Sequence, residues 1–235
     1  MRTEWVEVPV DGERMAAYLA RPDAGEHPVV IVGFEMFGVT GYVRSVAERL
    51  ADAGFTAVVP DFYHRAGQRI ELAADEAGRA RGLDLLGGVT RDGVLADVRA
   101  VIEQFGPAAL LGLSVGGHLV YYASTQVPVP TLVAFYPGWL TGTDIALSRP
   151  EPTIELTPGL AEHGTRVLVL TGERDHLVDE AARAAIAGAL ERAGGEHEVV
   201  VYPGAPHGFF CDERPSYVET DAADAWERAL TALRR

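Results

Sequence analysis

The feature that most constrains how this chain folds is an alternation of short runs, apolar from end to end, with longer stretches of helical spacing. Residues 28–33 form one such run, 43–53 have helical periodicity and stop at Gly54, and 56–60 form a second, β-branched run. The pattern returns with 92–105 as helix, 108–113 as strand, 116–126 as helix and 131–137 as strand. Residues 166–171 as strand, 179–193 as helix, 198–202 as strand and an amphipathic helix from Ser216 onward complete it. A strand without polar alternation must be covered on both faces, and strands separated by helices pair in parallel. The expectation is therefore an α/β fold with a mostly parallel central sheet and helices on both faces. Ahead of that pattern, 5–10 and 15–20 flank the turn dipeptide Asp11-Gly12 and read as an N-terminal antiparallel hairpin. The 235 residues, 48% of them hydrophobic, suit one domain over 1–235 with one sizeable core. In such sheets function collects at the carboxyl ends of the strands. Two connections, 62–91 and 138–164, are too long to be minimal turns and are placed to overhang a site there.

Charge and composition remove whole classes of function. A formal charge of −14 repels nucleic acid and anionic lipid alike, so neither is expected as a partner. All 20 basic residues are Arg, and without a Lys the chain cannot form a Schiff base or a Walker P-loop. The single Cys211 rules out an internal disulfide and a Cys-rich zinc site. No metal-ligand spacing such as H-E-x-x-H is present among the seven His, and no metal or other cofactor is expected. The first residues lack a signal-peptide apolar segment, and no window approaches the ~18 apolar residues of a membrane span. A soluble, cytoplasmic protein is the expectation.

The chemistry-bearing motif is Gly112-Leu113-Ser114-Val115-Gly116, a G-x-S-x-G placed after an apolar strand and before a helix. That motif requires a tight, strained strand-to-helix turn with little room for side chains around it, hence its two glycines. Ser114 is then a candidate nucleophile. The Val115 N–H, at the start of the following helix, is a candidate oxyanion donor. A serine hydroxyl needs a base, and the base an orienting carboxylate. His207 follows the strand at 198–202, and Asp175 follows the strand at 166–171. Glu173 and Asp179 compete for the acid role, but Asp175 lies in the turn itself. The chain order Ser, Asp, His is that of α/β-hydrolases. His118 and His176, beside Ser114 and Asp175 in sequence, receive no chemistry. The loop after the first parallel strand faces the elbow, and in it Met36 is the candidate second oxyanion amide, with Glu35 as a carboxylate able to contact Ser114 or substrate.

Taken together, Gly33-Phe-Glu-Met-Phe-Gly38, Leu50-Ala-Asp-Ala-Gly-Phe55 leading to Val59-Pro-Asp-Phe-Tyr63, Gly112-Leu-Ser-Val-Gly-Gly117 and Pro206-His-Gly-Phe209 resemble the dienelactone hydrolase family over almost the whole chain. The resemblance implies a compact α/β-hydrolase fold and hydrolysis of cyclic or activated esters. It also implies a triad of Ser114, Asp175 and His207, oxyanion amides at Met36 and Val115, and a nucleophile-contacting acid at Glu35. Two positions depart from the family pattern. The best-known members have a Cys nucleophile where this chain has Ser114, and dienelactone hydrolase itself has a carboxylate-holding Arg four residues after the catalytic His, where this chain has Cys211. A substitute cation is sought among Arg65, Arg69, Arg79 and Arg81, whose alternative is a solvated helix balanced by Glu71, Asp75 and Glu76. Phe37, Tyr63, Tyr136, Trp139 and Phe210 are candidates for an apolar substrate pocket.

The expected function is cleavage of a small-molecule ester or lactone through an acyl-enzyme on Ser114. Two alternatives stand beside it. The same triad can pass the acyl group to another acceptor, or open or close a lactone in biosynthesis; or the fold can serve as a non-catalytic ligand-binding protein.

Overall fold

Helix starts in this chain are written in its short polar residues. Thr40, Asp75, Thr90 and Asp179 each turn a side-chain oxygen onto a backbone N–H three residues on, closing the first turns of α1 (Gly41–Asp52), α2 (Glu76–Leu86), α3 (Arg91–Phe105) and α6 (Glu180–Ala193). Between and around them lie β1 (Arg2–Val10), β2 (Glu13–Arg21), β3 (Val29–Gly33), β4 (Thr56–Pro60), β5 (Ala108–Leu113) and β6 (Thr131–Phe135). The remaining elements are α4 (Val115–Gln126), the short α5 (Pro158–Glu162), β7 (Arg166–Arg174), β8 (His197–Pro206) and α7 (Glu219–Leu233). The computed structural model describes residues 1–235.

All eight strands form one sheet in the order β1-β2-β4-β3-β5-β6-β7-β8. The β1-β2 hairpin is antiparallel and adds antiparallel to β4, and from β4 across to β8 every pairing is parallel. The strands that read as unbroken apolar runs, β3, β5 and β6, are buried at every residue, as two-sided coverage requires. Gly33 pairs with Gly112, Leu113 with Phe135 and Gly172 with Tyr202, so the carboxyl ends of β3, β5, β6, β7 and β8 fall along one edge. One continuous apolar cluster of 73 buried residues runs through the sheet and its flanking helices. No helix is long and apolar enough to cross a membrane.

The expected elements are present, with two differences. β7 and β8 run on to Arg174 and Pro206, closer to the site than apolar periodicity implies, because the sheet pairs polar and Pro-containing residues there. The connection at 62–91 carries α2, whose buried residues are only Gly78, Gly82, Leu85 and Leu86. A helix that buries glycines on its inner face leaves a weak periodic signal.

Candidate active site

Ser114 sits at the turn between β5 and α4 with φ +57° and ψ −119°, a conformation that costs a residue with a Cβ about 1–3 kcal/mol. The turn is pinned by Ser114 N–H donating to Phe135 O (3.0 Å) and Gly117 N–H donating to Ser114 O (2.9 Å). Its glycines are required by contact: a Cβ on Gly112 would lie 2.2 Å from Gly116 O, and one on Gly116 would lie 2.2 Å from Gly33 O. The first turn of α4 thus rests directly on the ends of β3 and β5. Val115 is the first residue of α4, where no helical carbonyl reaches its N–H.

The ends of β7 and β8 bring the other two groups in. Ser114 Oγ lies 2.9 Å from His207 Nε2, and His207 Nδ1 lies 2.8 Å from Asp175 Oδ2. Asp175 Oδ1 accepts from Leu177 N (2.8 Å) and Val178 N (3.0 Å), which fixes the carboxylate plane. Burial acts to raise the Asp175 pKa, and the hydrogen bonds from His207 and from those two amides outweigh it, holding the carboxyl below its ordinary range. The competing acids are occupied elsewhere. Glu173 accepts from Gly204 N (2.8 Å), and Asp179 caps α6. Tyr136, itself at φ +38°, packs its buried ring edge-on against His207 with centroids 4.8 Å apart, and His176 approaches His207 at 5.6 Å.

Glu35 and Met36 follow β3. The Met36 N–H donates to no protein acceptor, while Gly38 N–H donates to Glu35 O (3.0 Å) and closes a turn over 35–38. Glu35 is buried and accepts from both terminal guanidinium nitrogens of Arg214, rather than from Ser114. Burial raises the Glu35 pKa, and Arg214 and then His207 pull it back only in part.

Ser114, His207, Glu35, Met36 and Arg214 line a cleft of about 550 Å³ that also includes Phe37, Arg79, Leu83, Trp139, His176, Leu177 and Glu213. Of the four candidate arginines, Arg79 on α2 reaches the cleft, and it has no ion-pair partner. Arg65 is bound to Asp97 and Asp11, Arg69 stacks on Trp5, and Arg81 pairs with Asp84. Phe37 and Trp139 line the cleft; Tyr63 and Phe210 do not. Tyr63 lies behind the loop with its hydroxyl on Met36 O (2.9 Å), and Phe210 is core, packed between Phe135 and Trp226. His118 is buried against Thr153 Oγ1 (2.7 Å), and burial lowers its pKa to about 3, so it stays neutral. Cys211, four residues after His207, is buried in the core, its thiol pushed up to about 12 by burial.

Arg214 is the site residue that sequence spacing passed over. The loop from Cys211 to Val218 folds back, with Arg214 N–H on Cys211 O and Val218 N–H on Phe209 O, and so delivers a cation from seven residues beyond His207. Its signal was a lone Arg in Asp212-Glu213-Arg214-Pro215 directly after the histidine loop. Nowhere in the fold do three His, Cys, Asp or Glu side chains gather in a metal-ligating group.

The strand order, the N-terminal antiparallel strands and the strained turn after the central β5 define an α/β-hydrolase. Residues 15–235 match the dienelactone hydrolase family. A Synechocystis protein described as "Putative carboxymethylenebutenolidase" is 34% identical over 97% of this chain and 94% of its own length. A Bradyrhizobium protein described as "Probable 2-oxo-3-(5-oxofuran-2-ylidene)propanoate lactonase" is 29% identical over 98% of this chain and 93% of its own. The crystal structure of a Klebsiella pneumoniae protein described as "Putative Dienelactone Hydrolase" superposes with a TM-score of 0.88 at 30% identity, over 100% of this chain and 98% of that one. The chain belongs to the dienelactone hydrolase family.

Proposed function

We propose that this protein hydrolyses an ester or lactone that carries an anionic group, through an acyl-enzyme on Ser114. The observation that carries the proposal is the continuous hydrogen-bonded line from Ser114 Oγ through His207 to Asp175, open to the cleft at its serine end. His207 Nε2 takes the Ser114 proton as Oγ attacks the acyl carbon, and Asp175 holds the ring in the tautomer that leaves Nε2 free. The Met36 and Val115 amides receive the charge that develops on the carbonyl oxygen. Collapse breaks the bond to the alcohol oxygen, which takes the proton from His207. For a lactone that oxygen stays on the acyl chain. Water then adds to the acyl-enzyme with its proton passing to His207; the bond from the acyl carbon to Ser114 Oγ breaks, His207 returns the proton to Oγ, and the free acid leaves.

The cleft wall supports this substrate class. Arg79 brings an unpaired cation, while Met36, Phe37, Leu83 and Trp139 bring apolar surface. The name of the Bradyrhizobium relative describes a substrate that is both a lactone and a carboxylate, the combination such a wall suits. Turnover of matched anionic and neutral aryl esters tests the assignment. Ser114→Ala should abolish both, whereas Arg79→Ala should lower kcat/KM for the anionic ester by about tenfold and leave the neutral one within about twofold. Equal losses on both esters for Arg79→Ala contradict the anionic assignment.

A further inference from the structure

Tyr63 reads in sequence as a pocket aromatic, yet its hydroxyl faces away from the cleft and donates to the carbonyl of Met36 at 2.9 Å. That carbonyl belongs to the middle peptide of the 35–38 turn, the unit whose rotation changes one turn type into another. The first peptide of the turn carries the Met36 N–H, and its own carbonyl is fixed by the Gly38 N–H. With both flanking peptides held, φ and ψ of Met36 are restrained from both sides. A second contact bears on the same oxygen: a Cβ on Gly82 of α2 would lie 2.8 Å from Met36 O, so the helix rests its bare backbone there.

The segment that carries Tyr63 is itself anchored. The buried Asp61 carboxylate accepts from Tyr63 N (3.2 Å) and Arg69 N (2.5 Å). His64 Nε2 lies 3.2 Å from Asp97 Oδ1 on α3, and Arg65 donates to Asp97 Oδ2 at 2.9 Å. The Tyr63 ring packs on Phe34 with centroids 4.7 Å apart. Further along, Leu72 N–H donates to Phe37 O (2.9 Å), tying the same segment to the far side of the turn. A hydroxyl on a rotatable side chain positions a loop only if its own backbone is rigid, and here α3 supplies that rigidity.

We propose that Tyr63 is a positioning residue for the oxyanion hole: its hydroxyl, braced by Asp61 and Asp97, fixes the turn that aims the Met36 amide. The proposal rests on the serine-hydrolase reading given above. Tyr63 does not line the cleft, so its loss reaches the reaction through the Met36 turn and not through a direct contact with substrate.

The test is Tyr63→Phe, which keeps the ring and its contact with Phe34. The expected result is a fall in kcat of about tenfold with KM within about twofold, and an equal rise in the Ki of an arylboronic acid, whose tetrahedral serine adduct needs the oxyanion donors. Gly82→Ala presses on the same carbonyl from α2 and is expected to lower kcat in the same way, without touching Tyr63. Unchanged kcat and boronate affinity in both variants, while Ser114→Ala is inactive, overturns the positioning role alone. Retained turnover in Ser114→Ala overturns the serine-hydrolase reading and the positioning role with it.

Discussion

The energetics of the site turn on one buried ion pair, Glu35 with Arg214. Glu35 is 2% exposed, and burial lifts its pKa above the ordinary value of 4.5. A carboxyl whose pKa is higher folded than unfolded binds more protons in the folded state. Its stabilising contribution is therefore complete below the unfolded value and is lost as pH rises through the folded one. Arg214 limits that loss by pairing with the ionised form. Replacing it with Ala should cost about 2–3 kcal/mol in urea unfolding at about pH 7 and clearly less at about pH 4, because the orphaned carboxylate is the source of the cost. Glu35→Gln in the same chain should restore much of the difference. A loss independent of pH, or one that Glu35→Gln leaves intact, contradicts this account. The pair lines the cleft beside Phe37, whose ring lies 4.8 Å beneath the Arg214 guanidinium, so the same variants alter the cleft wall.

At the scale of elements, the turn between β5 and α4 holds Ser114 in a strained conformation. Ser114 occupies a positive φ that Gly adopts freely and residues with a Cβ adopt only at a cost, and the close backbone contacts at the surrounding glycines leave little room to relax. Ser114→Ala and Ser114→Gly both lose the hydroxyl and its bond to His207, but only the glycine relieves the strain. Ser114→Gly should therefore be more stable than Ser114→Ala by about 1 kcal/mol, after the extra flexibility of glycine in the unfolded chain is deducted. Thermal unfolding of the two variants measures this. A Gly variant less stable than the Ala variant means that the turn is not strained.

Across the whole molecule, the alternation of apolar runs and helices made the parallel sheet and its hairpin legible in advance, because burial on both faces leaves its mark on every residue of β3, β5 and β6. The positions of Ser114, Asp175 and His207 were legible too, since each follows a recognisable strand. Less visible was whatever depends on loops returning through space. Arg214 reaches Glu35 across 179 residues of sequence, and Tyr63 turns from the cleft to the back of the Met36 turn. α2 was legible only as a solvated helix, because its inner face is partly glycine, and that face is what allows it to rest on Met36 and present Arg79 to the cleft. Local pattern records which residues are buried but not which side chains meet across loops.

An activated serine in that cleft is open to intact-mass measurement after exposure to a fluorophosphonate. One adduct is expected on the wild-type chain and none on folded Ser114→Ala. An unlabelled, folded wild-type chain, or an adduct that persists in Ser114→Ala, contradicts it.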